Sequence, residues 1–123
     1  MSNKVPLILI VDDDSAVRDS LKFTLELEGL AVRVCSSGAD LLRHPDLDQA
    51  QCLVLDYHMP SMDGFQLLEQ LGRSDARPPV ILITGPVTPR VREQAARAGV
   101  AHILEKPLLD SALIDRIREV ALR

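Results

Sequence analysis

Aromatic residues are nearly missing from this sequence. They make up 2% of it, with no tryptophan, one tyrosine and two phenylalanines. A core of this composition has to be aliphatic. A stacking platform for single-stranded nucleic acid needs several rings, so that class of function is disfavoured. Positive charge is also in deficit. The formal net charge is -4, and no direct nucleic acid binding is expected of such a surface. Cysteine occurs twice, at Cys35 and Cys52, each inside an apolar, strand-like run. Thiols placed this way read as core residues rather than as a disulfide or half a metal site. No apolar run approaches the length that spans a bilayer, and no signal-peptide pattern follows Met1. The expectation is a protein of a reducing, cytoplasmic compartment with no membrane association.

Aliphatic residues, by contrast, are abundant. Hydrophobic residues are 46% of 123, which suits a single domain over residues 1–123 with one packed interior. Leu7 to Val11 (LILIV) reads as a strand with both faces covered. A helix follows from about Ser15 to Glu28. Val17, Leu21, Thr24, Leu25 and Glu28 lie along one side of it, and Phe23 and Leu27 are expected to widen that stripe. Gly29 stops it. Ala31 to Cys35 is a second strand, and Ser36, Ser37 and Gly38 turn into a short helix over residues 39–43, closed by Pro45. Cys52 to Asp56 is the third strand. Phe65 to Arg73 is a helix with Phe65, Leu68 and Leu71 as its spine. Val80 to Thr84 (VILIT) is the fourth strand, and a fourth helix runs from near Pro89 to Ala98, with proline in its first turn and Gly99 at its end. His102 to Glu105 is the fifth strand. Asp110 or Ser111 caps a last helix with Leu113, Ile117 and Val120 inward. Five β-α units in succession imply an α/β fold, a parallel sheet with helices on both faces.

The ends of the strands are unusually polar. The first is followed by Asp12, Asp13 and Asp14, the third closes on Asp56, the fourth on Thr84, and the fifth on Glu105 and Lys106. In open parallel sheets the chemistry sits at these carboxyl ends. Converging carboxylates repel, and a hard cation such as Mg²⁺, with its preference for oxygen ligands, neutralises them. A lysine and a threonine hydroxyl beside such a cation make a cradle for a phosphoryl group. A carboxylate in the cradle can be the nucleophile and become an aspartyl phosphate. Asp56 fits that role best, because its strand is expected at the centre of the sheet. Each residue also has a plain structural reading: Asp56 and Asp14 as turn formers or helix caps, Thr84 as a strand end, Lys106 as a solvated loop residue. The coincidence at four strand ends of one sheet favours the joint chemical reading.

With these residues in place, the sequence resembles the receiver domain of bacterial two-component response regulators. The resemblance runs from about Val5 to Leu122 through "LILIVDDD", "LVLDYHMPSMDG", "VILITG" and "ILEKP", and "ITG" with "EKP" is similar to the FixJ-like subgroup. It implies a flavodoxin-like, doubly wound (βα)5 sheet in the order 2-1-3-4-5 with five helices. It further implies Asp56 as the phosphoacceptor, served by a sensor histidine kinase or a small-molecule donor, with catalytic help from Thr84 and Lys106. Mg²⁺ would be held by Asp12, Asp13, Asp56 and the backbone carbonyl of His58. Lys106-Pro107 would be a cis peptide. Gly64 would allow a sharp turn into the third helix, and Gly85 would keep the phosphate approach open. Thr84 and the residue at Ile103 would act as the switch. The face built from the fourth helix, fifth strand and fifth helix would then reach an output domain or partner, or form a homodimer, with Val91, Ala95 and Ile103 as candidate face residues.

The sequence departs from the family pattern at Ile103, where the family usually carries an aromatic ring, and at Pro86, which with Pro89 stiffens the loop after Thr84. Two rivals follow. One is a phosphorylation-independent interaction module that kept the fold. The other is a small Mg²⁺-dependent phosphatase using Asp12 as its nucleophile. The family itself is not enzymatic beyond its own phosphorylation and dephosphorylation.

Overall fold

The computed structural model describes residues 5–108 and 111–121. Five parallel strands form one sheet in the order β2-β1-β3-β4-β5. They are β1 (Leu7–Val11), β2 (Ala31–Cys35), β3 (Cys52–Asp56), β4 (Val80–Thr84) and β5 (His102–Glu105). The helices are α1 (Ser15–Leu27), α2 (Gly38–Leu42), α3 (Gly64–Leu71), α4 (Pro89–Arg97) and α5 (Ala112–Ala121). The expected α/β, flavodoxin-like architecture and strand order are the observed ones.

Side-chain alternation explains why β1, β3 and β4 are apolar throughout. Successive residues of a strand face opposite sides of the sheet. Ile8, Ile10, Cys52, Val54, Ile81 and Ile83 pack under Leu25 of α1 and Leu113, Ile114 and Ile117 of α5. Leu9, Val11, Leu53, Leu55, Val80 and Leu82 pack under Leu41 of α2, Leu67 and Leu68 of α3 and Val91 of α4. The two thiols fall in different layers, Cys52 in the first and Cys35 in the second, and both are free and buried. Burial pushes the Cys35 thiol up to about 11 and that of Cys52 up to about 12.

α1 is narrower in its buried stripe than expected. Leu25 is buried and Leu21 packs beside it, whereas Phe23 is 66% and Leu27 71% exposed. A helix advances about 100° per residue, so neighbours two apart point to opposite sides. Glu28 also faces outward, where Arg118 of α5 pairs with it at 3.3 Å. In α3, Leu67 and Leu68 are buried, and Phe65 and Leu71 pack only partly. The α5 assignment holds: Leu113, Ile117 and Val120 are inward, joined by Ile114. Ser111 precedes α5, its hydroxyl donating to Asp115 at 3.0 Å; Asp110 lies outside the described residues. Arg77 joins two helix ends, donating to the carbonyls of Gly72, after α3, and Ala98, after α4, each at 2.5 Å. Among the described residues no helix is long and apolar enough to cross a membrane.

Ile117 is 0% exposed, so Ile117→Ala is expected to destabilise the fold by about 2–5 kcal/mol in urea denaturation. Phe23→Ser is expected to stay within about 0.5 kcal/mol of wild type in the same measurement.

Candidate functional site

β1 and β3 lie side by side, with Val11 paired to Leu55. The next residues, Asp12 and Asp56, are thereby brought together at the sheet edge. Asp12 is 2% and Asp56 3% exposed, and Asp13 is open to solvent. Ligand atoms of Asp12, Asp13 and Asp56 all lie within 4.8 Å of one another.

Each buried carboxylate is held by the backbone around it. The Asp14 amide donates to Asp12 Oδ1 at 2.9 Å, and Arg18 donates to the Asp12 carbonyl at 2.8 Å. Asp14 caps α1, accepting from the amides of Ala16 and Val17, so its plain structural reading is correct. On Asp56, Oδ1 accepts from the His58 amide at 3.2 Å. Oδ2 pairs with Lys106 Nζ, also at 3.2 Å. Lys106 follows β5; its amide donates to the Thr84 carbonyl at 2.8 Å, and the Lys106-Pro107 peptide is cis. Thr84 ends β4 at 1% exposure. The structure thus brings Asp12, Asp13, Asp56 and Lys106 together, with Thr84 at the end of the neighbouring strand. The side chain of His58 is exposed, its ring 4.7 Å from that of Tyr57.

Several expectations need correction. Val91 and Ala95 are buried, because α4 turns them toward the sheet. They are core residues, not an outward face. Ile103 is half-buried on β5 beside Leu82. Gly64 has no left-handed backbone; space is what requires glycine there. An added Cβ would stand 2.9 Å from Leu82 Cδ1 and 3.3 Å from Tyr57 Cα. At Gly85 a Cβ would meet nothing within 4 Å, so space does not require glycine there. Three contacts had no sequence signal: the His58 amide on Asp56, Arg18 on the Asp12 carbonyl, and Glu105, whose carboxylate accepts from the Val87 amide at 2.7 Å.

Burial raises the Asp12 carboxyl above its ordinary value of 3.8, with the charges of Asp56 and Asp13 adding to the rise and the Asp14 amide and Lys106 opposing it. An oxygen-only set of carboxylates carrying uncompensated charge suits a hard divalent cation and offers nothing to a soft one.

Comparison with known proteins defines the class. The response regulator receiver domain family matches residues 8–118, and the chain belongs to this family. It is 41% identical over 110 residues to the transcriptional regulatory protein FixJ of Azorhizobium caulinodans, covering 89% of this chain and 52% of that protein. It is also 41% identical over 117 residues to the C4-dicarboxylate transport transcriptional regulatory protein DctD of Pseudomonas aeruginosa, covering 90% of this chain and 24% of that protein. The crystal structure of FixJ-N superposes with a TM-score of 0.83 at 36% identity, over 98% of this chain and 96% of that one. The chain is thus a FixJ-like receiver domain, and it spans about half of the FixJ relative and about a quarter of DctD. Response regulators of this family take phosphate from histidine kinases and act on output domains.

The raised Asp12 carboxyl has a definite sign. A carboxyl raised in the folded state contributes stability below its ordinary value of 3.8 and loses it as pH rises through the raised value. In the presence of a chelator, Asp12→Asn is expected to be more stable than wild type at pH 7, with the gain vanishing below about pH 4, as read by urea denaturation across pH. Mg²⁺ at about a hundred times its dissociation constant is expected to stabilise the wild type by about 2.7 kcal/mol, and Asp13→Asn to lose most of that gain.

Proposed function

We propose that residues 1–123 form a single receiver domain that accepts a phosphoryl group on Asp56 and signals through the α4-β5-α5 face. One observation carries this reading. The Asp56 carboxylate, 3% exposed, stands between two further carboxylates and the Lys106 ammonium 3.2 Å away. A carboxylate held among a cation and donors is a competent nucleophile.

One Asp56 oxygen forms the new bond to phosphorus as the bond from phosphorus to the donor breaks. The electron pair leaves on the donor, an imidazole nitrogen of a histidine kinase or the acyl oxygen of a small-molecule phosphate. Asp12, Asp13, Asp56 and the His58 carbonyl would hold Mg²⁺, which supplies charge neutralisation for the phosphoryl oxygens when bound. Lys106 offsets the charge gained at Asp56, and the Thr84 hydroxyl donates to a phosphoryl oxygen. The product carries roughly -1.5 to -2 more charge with new acceptor oxygens. That charge favours Thr84 and Lys106 drawn inward, which biases a pre-existing equilibrium of α4, β5 and α5, with Ile103 in the place where the family's switch ring usually sits. Through that face the domain would reach an output domain or partner, a second copy included. The names of its relatives as transcriptional regulators support a transcriptional output carried outside this domain, and a cytoplasmic setting. Catalysis is limited to the domain's own phosphorylation and dephosphorylation, and no direct contact with nucleic acid is assigned to it.

Incubation with acetyl phosphate and Mg²⁺, followed by intact mass measurement, tests this. One phosphoryl group is expected on the wild type, none on Asp56→Asn, and none when a chelator replaces the metal. A phosphoryl group still present on Asp56→Asn would refute the assignment. If Asp12→Asn alone abolished the modification and Asp56→Asn did not, the phosphatase-like alternative would stand instead.

A further inference from the structure

The β4–α4 loop, residues 85–88, carries the step between Thr84 and α4, and among the described residues little holds it. Pro86 has no amide hydrogen to offer. Thr88 turns its hydroxyl forward to cap α4, accepting from Val91 at 3.1 Å. Val87 is the loop residue tied to a neighbouring strand, through its amide and Glu105 Oε1 at 2.7 Å. Glu105 is also the residue paired in register with Thr84. Its backbone therefore neighbours Thr84 while its carboxylate reaches three residues further along the same segment.

Alternation along β5 places Glu105 and Ile103 on one face and Leu104, which packs in the α1–α5 layer, on the other. Glu105 thus stands on the α4 side of the sheet. The path from Thr84 to Val87 is short and stiffened by Pro86. A move of Thr84 toward Asp56 would be passed along this path to Val87 and would strain its bond to the carboxylate. A hydrogen bond to an ionised carboxylate is also stronger than a neutral one.

We propose that Glu105 is a positioning residue of the switch: by holding the Val87 amide it fixes the β4–α4 loop in the resting arrangement and sets how rarely the active one is populated before any phosphate arrives. This inference rests on Asp56 being the phosphoryl acceptor. Its consequence is thermodynamic. Apparent affinity for a ligand of the active state scales with the fraction of protein already in that state. Loss of the Glu105 contact raises that fraction.

Beryllofluoride with Mg²⁺ serves as the phosphoryl mimic, followed through backbone amide spectra, since the chain has no tryptophan to report. For Glu105→Ala the apparent dissociation constant is expected to fall about three- to tenfold below wild type. In the unliganded variant, amide signals around Thr84 and in α4 are expected to lie part-way toward their liganded wild-type positions. Glu105→Gln keeps an acceptor oxygen without the charge and is expected to fall between the two. A purely structural role would change the denaturation midpoint and leave affinity and signal positions alone. Affinity for Glu105→Ala equal to or weaker than wild type overturns the inference while leaving the acceptor assignment intact. Binding that survives Asp56→Asn overturns the acceptor assignment, and this inference with it.

Discussion

Three carboxylates within 4.8 Å of one another repel, and the fold has to hold them together before any cation arrives. The holding is done by two buried neighbouring strands. β1 and β3 are neighbours in fixed register, and Ile8, Leu9, Cys52, Leu53 and Leu55 are all 0% exposed. A strand buried on both faces cannot slip by one residue without inverting its whole packing. Asp12 and Asp56 therefore cannot separate by sliding. The remaining repulsion is met locally, by the Asp14 and His58 amides and by Lys106. That arrangement is poor for stability and good for function. The site keeps a charge whose relief is available to a metal ion, and a carboxylate, that of Asp56, already desolvated on the protein side.

The strand order follows the same constraint outward. With β3 at the centre, β4 and β5 lie on one side of it and β1 and β2 on the other. The metal-competent carboxylates come from β1 and β3, whereas Thr84 and Lys106 come from β4 and β5. The acidic cluster and the Thr84–Lys106 pair are therefore carried by different strand pairs of the one sheet.

Much of this was legible in the sequence, because uninterrupted apolar strands leave few alternatives. LILIV, CLVLD and VILIT could only be doubly covered strands, and a charged or hydroxylated residue closing each one marked the functional edge. The helices were harder to read. Leu21, Phe23, Leu25 and Leu27 recur every second residue, a spacing a helix cannot turn to a single side, so two of the four had to face solvent. Which two depends on the helix's roll against β1, and that is a tertiary quantity. Val91 and Ala95 posed the converse problem. Small aliphatic residues on an otherwise charged helix could serve a partner or the core, and packing against the sheet decides for the core. The requirement for glycine at position 64 is one of space, set by Leu82 and Tyr57, and no local sequence pattern shows it. Glu105 could not be assigned at all, because its partner is a backbone amide in a different loop.

These contacts also show how α4 is held. At its far end the half-buried guanidinium of Arg77 bridges the carbonyls of Gly72 and Ala98. Those carbonyls terminate two helices whose negative dipole ends a cation stabilises together. At its near end the loop into α4 is tied across to β5, among the described residues, by one exposed contact, Val87 to Glu105. The two anchors are unequal: one cation with two short bonds in a half-buried setting, against one bond in water. A displacement of the loop into α4 would accordingly be largest at Thr88 and smallest at Ala98. It would tilt α4 about its C-terminal end rather than translate it. Val91 lies near that end and belongs to the buried layer on the α4 side of the sheet, so the tilt would have to be accommodated in that layer. Core packing that made Val91 a poor docking residue makes it the place where loop movement and sheet meet.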